Sequence, residues 1–200
     1  MVLTTQEEKI NRGLKSPLFL FDFFQNFCYT KEKDWRDKMD IELYTDGGCR
    51  ENGQSQNAPG GIGCVLLIPE KQPIYLKEKL KFQPNTNNKA EIYAVIRGLD
   101  MLYKNYNFQT GFIKDKLIIY SDSAYMINGI TNWINGWRAN GWVTASKTPV
   151  KNKELWQTLD EIIENLKDNF DIEFVKVKGH SGNRWNEECD RLANSAMDGI

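Results

Sequence analysis

The segment KLIIY, at residues 116–120, restricts the fold more than any other part of the chain, because it contains a short, unbroken apolar run. Such a run is typical of a strand that is buried on both faces, as in the parallel part of a sheet. Helical periodicity precedes the segment and follows it, so helices are expected to form the covering layers. The segment therefore predicts a strand inside a sheet that is flanked by helices.

The rest of the pattern predicts the other elements of that sheet. Three segments that read as strands come first and indicate an antiparallel meander: IELYT, GIGCVLLI and PIYLKEKLKF. A helix begins at Asn87, and the segments after KLIIY predict helices over 123–130, 130–138, 152–166 and 185–197 and a strand over 171–177. This order predicts an α/β fold with a five-stranded mixed sheet, in which three antiparallel strands are followed by parallel additions.

The regular pattern starts at Asp40, which divides the chain into an N-terminal extension (residues 1–39) and a main domain (residues 40–200). The extension contains the apolar segment SPLFLFDFF. Two interpretations stay open: a short helix that docks on the main domain, or a helix that lies in the groove of a protein partner through residues 16–27.

Composition excludes several classes of protein. The chain has 26 basic and 27 acidic residues, so any surface that binds nucleic acid must be local. Its four cysteines are far apart and form no CxxC motif, which argues against a zinc site or a disulfide scaffold and favours reduced thiols in an intracellular protein, cytoplasmic, or nuclear in a eukaryote. The protein is expected to be a monomer. No apolar run reaches the ~20 residues of a membrane span.

Two acidic residues follow strands. Asp46 ends the first strand and precedes two glycines, and Asp122 follows the buried strand. Each has a structural alternative, since TDGG is also a turn signal and Asp122 could cap the next helix. Open α/β sheets, however, bind ligands beyond the carboxyl ends of their strands.

Two further acidic residues lie on predicted helices. Glu91 is one turn before Val95, and Asp190 borders the apolar face of the last helix, so both lie at the edge of a core-facing stripe. Glu187 and Glu188, in contrast, are interpreted as favourable charges near a helix N-terminus. If Asp46, Glu91, Asp122 and Asp190 converge, their mutual repulsion requires cations.

An all-oxygen set of carboxylates selects Mg²⁺ or Mn²⁺. Two such ions ~4 Å apart would form the clamp that drives in-line displacement at phosphorus. The carboxylates therefore predict chemistry on phosphodiesters.

Four motifs resemble type 1 ribonuclease H in order and interval: LYTDGGCRENG, TNNKAEIYAVIRGL, IYSDSAYMINGITNWINGW and GHSGNRWNEECDRLA. The resemblance covers about residues 40–197 and implies a ribonuclease H-like catalytic domain with a basic protrusion. It implies an endonuclease that hydrolyses the RNA strand of RNA–DNA hybrids with two Mg²⁺ ions, for which Mn²⁺ can substitute, and leaves 3′-hydroxyl and 5′-phosphate ends. It also implies that Asp46, Glu91, Asp122 and Asp190 are the metal ligands.

His180 is the only histidine and lies between Gly179 and the pair Ser181-Gly182. A lone histidine is more often a packed or solvent-bridging residue, but this one has glycines on both sides and freedom to move. The resemblance implies that it assists proton transfer or product departure, a catalytic role that an imidazole side chain can fill.

Residues 123–153 contain no acidic residue, and they predict a basic patch made of Arg138, Lys147, Lys151 and Lys153. Trp133 and Trp137 are four residues apart on one helix face. They could form a core stripe, although their polar neighbours favour an exposed ridge. This segment resembles the basic protrusion with which the family grips the DNA strand.

The resemblance also implies a set of substrate-binding residues. Readers of the minor groove and its 2′-hydroxyls would be Cys49, Asn52, Asn87 and Asn88. Contacts to the DNA phosphates would come from Thr86 and Asn152. Thr144 or Ser146 would replace a family serine at Ala145.

Three functions compete: a hybrid-specific endoribonuclease, an enzyme of the same fold that acts on another phosphodiester, and a non-catalytic nucleic-acid-binding module. The presence of four carboxylates and His180 argues against the third. The basic, tryptophan-bearing segment and the candidate 2′-hydroxyl readers favour the first over the second.

Overall fold

The computed structural model describes residues 38–54, 57–81, 83, 85–108 and 114–199. The predictions for the N-terminal extension, including the partner segment 16–27, fall almost wholly outside these residues. The strands are β1 (Asp40–Cys49), β2 (Gly60–Leu67), β3 (Ile74–Lys79), β4 (Asp115–Ser121) and β5 (Phe170–Lys176). The α-helices are α1 (Asn87–Asn105), α2 (Ala124–Asn128), α3 (Ile134–Ala139), α4 (Lys153–Leu166) and α5 (Arg184–Asp198).

The strands form one sheet in the order β3-β2-β1-β4-β5. β1 pairs with β2, and β2 with β3, in antiparallel orientation. β4 lies parallel to both β1 and β5. The predicted mixed sheet of three antiparallel strands with parallel additions is confirmed.

β4 also has the predicted environment. Leu117 and Ile119 are fully buried beneath the helices, and Ile118, which points to the opposite face, is only 9% exposed. The main core lies between the sheet and helices α1 and α4, where Leu43, Leu99 and Trp156 are among the largest buried side chains. The unbroken apolar run is therefore explained by burial on both sides.

Helix α5 covers the other face of β1, β2 and β3, and glycines in β2 allow it to approach closely. A Cβ atom added at Gly63 would lie 2.1 Å from the backbone oxygen of Cys189, and one at Gly61 would lie 2.4 Å from that of Ala193. Neither side chain could be accommodated without moving the helix. The glycines thus fix α5, and with it Asp190, against the sheet.

Between β4 and α4 the chain is helical from Ala124 to Ala139, with one π-helical turn at Gly129–Trp133. A Cβ atom at Gly129 would lie 2.2 Å from the ring of Trp156, so the turn occurs where the chain passes over that buried indole. Three described cysteines, Cys49, Cys64 and Cys189, are buried and unpaired, as the sequence predicts. In the described part of the chain, no helix has the length and apolar character needed to cross a membrane.

Candidate active site

Three of the predicted carboxylates meet at one edge of the sheet. Asp46, Glu91 and Asp122 each offer an oxygen atom, and these three atoms lie within 4.8 Å of one another. Asp46 lies in β1, Asp122 directly follows the neighbouring parallel strand β4, and Glu91 lies in the second turn of α1. After β1 the chain continues to β2, toward one edge of the sheet, and after β4 it continues to β5, toward the opposite edge. Open α/β sheets bind ligands at such a point, where the order of the strands reverses.

Glycines at two positions permit this convergence. A Cβ atom at Gly47 would lie 2.4 Å from the carbonyl of Ala90, so only glycine lets β1 approach the start of α1 and bring Asp46 beside Glu91. A Cβ atom at Gly179 would lie 2.6 Å from Oδ2 of Asp122. The backbone of the histidine loop therefore packs directly against a carboxylate of the cluster.

The cluster disfavours its own negative charge. Burial, reinforced by the charges of Asp122 and Asp190, raises the pKa of Asp46 from 3.8 to about 7. Burial and the charges of Asp46 and Asp122 also raise the pKa of Glu91 well above its ordinary value. A cation bound between Asp46 and Glu91 would lower the free-energy cost of ionising these two carboxyls.

One atom of the cluster is unsatisfied. Oε2 of Glu91 is buried and has no hydrogen-bond partner among the described residues. An orphan carboxylate oxygen of this kind costs free energy unless a ligand satisfies it. The oxygen-only donor set, the raised pKa values and the orphan oxygen together fit a hard divalent cation.

Asp190 lines the same cleft but is not a member of the three-carboxylate group. Its Oδ1 accepts a hydrogen bond from Nδ2 of Asn194 at 2.9 Å, one turn further along α5. Its charge nevertheless contributes to the raised pKa of Asp46. Three of the four predicted carboxylates thus have oxygen atoms within 4.8 Å of one another, and the fourth lies at the edge of the site.

His180 lines the cleft as well, on the loop between β5 and α5. Its φ angle of 49° is in the left-handed region, which costs a non-glycine residue roughly 1 kcal/mol or more. The loop is fastened by a hydrogen bond of 2.9 Å from the backbone N–H of Gly182 to Oε1 of Glu187. The sequence interpretation of Glu187 as a favourable helix-terminal charge missed this contact, which no sequence signal indicated.

Three of the four predicted minor-groove residues, Cys49, Asn52 and Asn87, are connected by hydrogen bonds, and Cys49 and Asn87 line the same cleft as the carboxylates. Oδ1 of Asn87 accepts from the backbone N–H of Cys49 at 2.8 Å, and Oδ1 of Asn52 accepts from the backbone N–H of Asn87 at 3.2 Å. Asn52 and Asn87 are exposed, whereas Asn88 is half-buried. Cys49 is only 8% exposed, and its thiol contacts the backbone oxygens of Arg50 and Ala58.

The predicted phosphate contacts have structural tasks as well. Oγ1 of Thr86 caps α1 by accepting from the N–H of Lys89 at 3.2 Å. Asn152 precedes α4 with a left-handed φ of 60°, and its Nδ2 lies 3.4 Å from the hydroxyl of Tyr125. Thr144 and Ser146 both belong to one exposed group of hydroxyls that also includes Thr148, so the geometry favours neither as the replacement for serine.

Two expectations for the basic segment need correction. Trp133 is 40% exposed, but Trp137 is half-buried, with its ring centroid 5.5 Å from that of Trp156, so the exposed ridge consists of Trp133 alone. Arg138 binds Glu164 at 2.8 Å and also pairs with Asp160. Its charge is therefore compensated by α4, whereas Lys147 and Lys151 are exposed.

Comparison with known proteins agrees with this geometry. The sequence profile of the RNase H family matches residues 38–198. The chain is 46% identical over 160 residues to a ribonuclease H of Clostridium botulinum (strain Hall), a match that covers 79% of this chain and 95% of that protein. It is 39% identical over 160 residues to a ribonuclease H of Chromobacterium violaceum, covering 80% and 96%.

Solved structures show the same fold. The crystal structure of LC9-RNase H1, described as a type 1 RNase H with the type 2 active-site motif, superposes with a TM-score of 0.64 at 23% identity and covers 83% of this chain and 75% of that one. LC11-RNase H1, solved in complex with an RNA/DNA hybrid, gives a TM-score of 0.56 at 24% identity and covers 80% and 97%.

Proposed function

The chain belongs to the ribonuclease H family, and on that premise we propose that it is an endonuclease that hydrolyses the RNA strand of RNA–DNA hybrids. The observation that carries the proposal is the half-buried group Asp46, Glu91 and Asp122, whose oxygen atoms lie within 4.8 Å of one another beside an unsatisfied oxygen of Glu91. The products would carry 3′-hydroxyl and 5′-phosphate ends.

A divalent cation would be held by Asp46, Glu91 and Asp122, with Asp190 at the edge of the cleft. We propose Mg²⁺ as two ions, with Mn²⁺ able to substitute, since carboxylate oxygens suit both metals. When bound, the metal would activate a water molecule and neutralise the charge that develops on the phosphate. The raised pKa values of Asp46 and Glu91 support this role, because the cluster binds a proton readily when it lacks a cation.

Proton transfer would fall to His180. Hydrolysis breaks the bond between phosphorus and the 3′-oxygen of the RNA, so the departing oxygen needs a proton. His180 lines the cleft on a loop with left-handed backbone at positions 180 and 182, and its imidazole suits a general acid near neutral pH.

Cys49, Asn52, Asn87 and Asn88 would distinguish RNA from DNA. The amides of Asn52 and Asn87 are exposed and can hydrogen-bond to 2′-hydroxyls. The DNA strand would lie along Thr86, Asn152, Thr144 and the exposed Trp133. Lys147 and Lys151 would add salt-dependent phosphate contacts.

The protein would act as a monomer in the cytoplasm, or in the nucleus of a eukaryote. Residues 40–200 would form the catalytic domain, and residues 1–39 an extension that docks on it or binds a protein partner. Deleting residues 1–35 tests the extension: loss of activity or solubility favours docking, and an active truncated protein favours a partner.

The activity is tested with four labelled duplexes: an RNA–DNA hybrid, double-stranded RNA, double-stranded DNA and DNA with a single ribonucleotide. Each is incubated with Mg²⁺, with EDTA and with the Asp122→Asn protein. The proposal predicts cleavage of the RNA strand of the hybrid alone, and loss of cleavage with chelator or with the variant. Binding to the hybrid without cleavage of any duplex would contradict it.

A further inference from the structure

Helix α5 carries an amide on the side that faces the cleft. Asn186 is only 2% exposed, and the other buried residues of α5 are apolar: Cys189, Leu192, Ala193, Ala196 and Met197. Burial of an amide in such surroundings costs free energy unless its hydrogen bonds are made. The position of Asn186 therefore needs an explanation that packing does not give.

The side chain of Asn186 makes one hydrogen bond, and it goes to the carboxylate cluster. Its Nδ2 donates to Oδ2 of Asp122 at 3.2 Å, across 64 positions of sequence. Its Oδ1 is buried and has no partner among the described residues. For stability alone an apolar side chain would serve better, because it would leave no acceptor unsatisfied.

Oδ2 of Asp122 is enclosed from a second direction by Gly179, at which a Cβ atom would lie 2.6 Å from that oxygen. The amide on one side and the glycine backbone on the other restrict rotation of the carboxylate. Oδ1 of Asp122 is then the oxygen that remains to be offered to a cation.

We propose that Asn186 is a positioning residue, which holds Oδ2 of Asp122 so that Oδ1 faces the metal. A neutral donor suits this task, because a lysine or arginine at the same place would neutralise Asp122 and compete with the cation. This inference rests on the proposed function for its consequence in catalysis.

Asn194 provides a contrast on the same helix. Its Nδ2 reaches Oδ1 of Asp190, but also the backbone oxygen of Asp190, both at 2.9 Å. Asn105 makes the same backbone contact to Met101 at 2.8 Å, far from the cleft. The Asn194 contact is thus partly an ordinary helical one, whereas that of Asn186 joins two elements.

The test measures Mn²⁺ affinity by calorimetry on the protein without nucleic acid, in the Asn186→Ala and Asn186→Leu variants. Leucine fills the space of the amide, so this variant is expected to fold even if alanine leaves a damaging cavity. Without this donor the carboxylate of Asp122 is free to rotate away from the cation. Hydrogen bonds that orient a metal ligand strongly affect metal affinity, so each variant should bind Mn²⁺ roughly tenfold more weakly or worse.

Asn85 is the matched control. It is also a fully buried asparagine with an unpartnered Oδ1, but its Nδ2 donates to the backbone oxygen of Ala58 at 2.9 Å. Asn85→Ala should lower the melting temperature and leave the Mn²⁺ affinity unchanged. This comparison separates the loss of a buried amide from the loss of carboxylate positioning.

Cleavage kinetics supply the second readout. Positioning predicts a reduced kcat with an unchanged KM for the hybrid, and partial recovery of kcat at high Mn²⁺ concentration. The inference would be overturned if the Asn186 variants matched the wild type in Mn²⁺ affinity and kcat, with or without a lower melting temperature. The proposed function would not be affected by that result. Conversely, a wild-type protein that binds Mn²⁺ but cuts no hybrid would overturn the proposed function, and the affinities would still decide the role of Asn186.

Discussion

Replacement of Asp46 by asparagine should stabilise the metal-free protein at alkaline pH. The pKa of Asp46 is raised from 3.8 to about 7 in the folded protein, chiefly by burial and then by the charges of Asp122 and Asp190. In the unfolded chain the group returns to its ordinary value. Between these two values the folded state holds a proton that the unfolded state releases, so the stability of the wild type should fall as the pH rises from about 4 to about 7.

The size of the effect follows from the same values. A rise from 3.8 to about 7 corresponds to about 4 kcal/mol at about 1.4 kcal/mol per pKa unit. Asp46 is partly accessible, so solvent screening and relaxation reduce this to about 2–3 kcal/mol. For a domain of this size that is a difference in Tm of roughly 10 °C.

The assay is thermal unfolding of the wild type and Asp46→Asn in EDTA, at pH 4.5 and pH 8. We expect the variant to be more stable at pH 8, with a much smaller difference at pH 4.5, and added Mg²⁺ to raise the Tm of the wild type at pH 8. Glu161→Gln, at an exposed carboxylate on α4, is the control and should change neither Tm nor its pH dependence. An identical fall in Tm with pH for the wild type and Asp46→Asn would refute the reasoning.

Three further predictions concern packing, catalysis and substrate affinity. Gly63→Ala places a Cβ atom 2.1 Å from the backbone oxygen of Cys189, so chemical denaturation should show a loss of about 2 kcal/mol or more; an unchanged midpoint would contradict the close packing of α5. His180→Ala should lower kcat roughly tenfold or more and leave Mn²⁺ binding by calorimetry unchanged, and equal kinetics would exclude the general-acid role. Lys147→Ala should reduce the slope of log affinity against log salt concentration by about 1 in hybrid-binding titrations, and an unaltered slope would remove Lys147 from the interface.

Much of the fold could be predicted because local patterns and burial coincide. The apolar run inside β4 predicts burial of both faces of the strand. Leu117 and Ile118, which lie on opposite faces, are both buried. The three carboxylates were found because each one conflicts with its local environment. Glu91 borders an apolar helical stripe, whereas Asp46 lies inside β1 and Asp122 directly follows β4, the neighbouring strand at the centre of the sheet.

The features that sequence reasoning missed depend on contacts between distant segments. The sequence predicts Arg138 as part of a basic patch because residues 123–153 contain no acidic residue. Its partners Asp160 and Glu164 lie further along the chain, on α4. Trp137 is half-buried because Trp156, also on α4, packs against it. Asn186 has no pattern that distinguishes it from other asparagines near a helix start, and only its approach to Asp122 gives it a role.

Replacement of Glu91 tests whether the half-buried carboxylates hold the metal needed to cleave RNA. Glu91→Gln keeps the shape of the side chain and removes the charge beside Asp46 and Asp122. Cleavage of an end-labelled RNA–DNA hybrid should be measured for the wild type and this variant, each with Mg²⁺ and with EDTA. RNA-strand products with 3′-hydroxyl ends are expected from the wild type with Mg²⁺ only. Cleavage by Glu91→Gln at the wild-type rate, or by the wild type in EDTA, would contradict this role of the carboxylates.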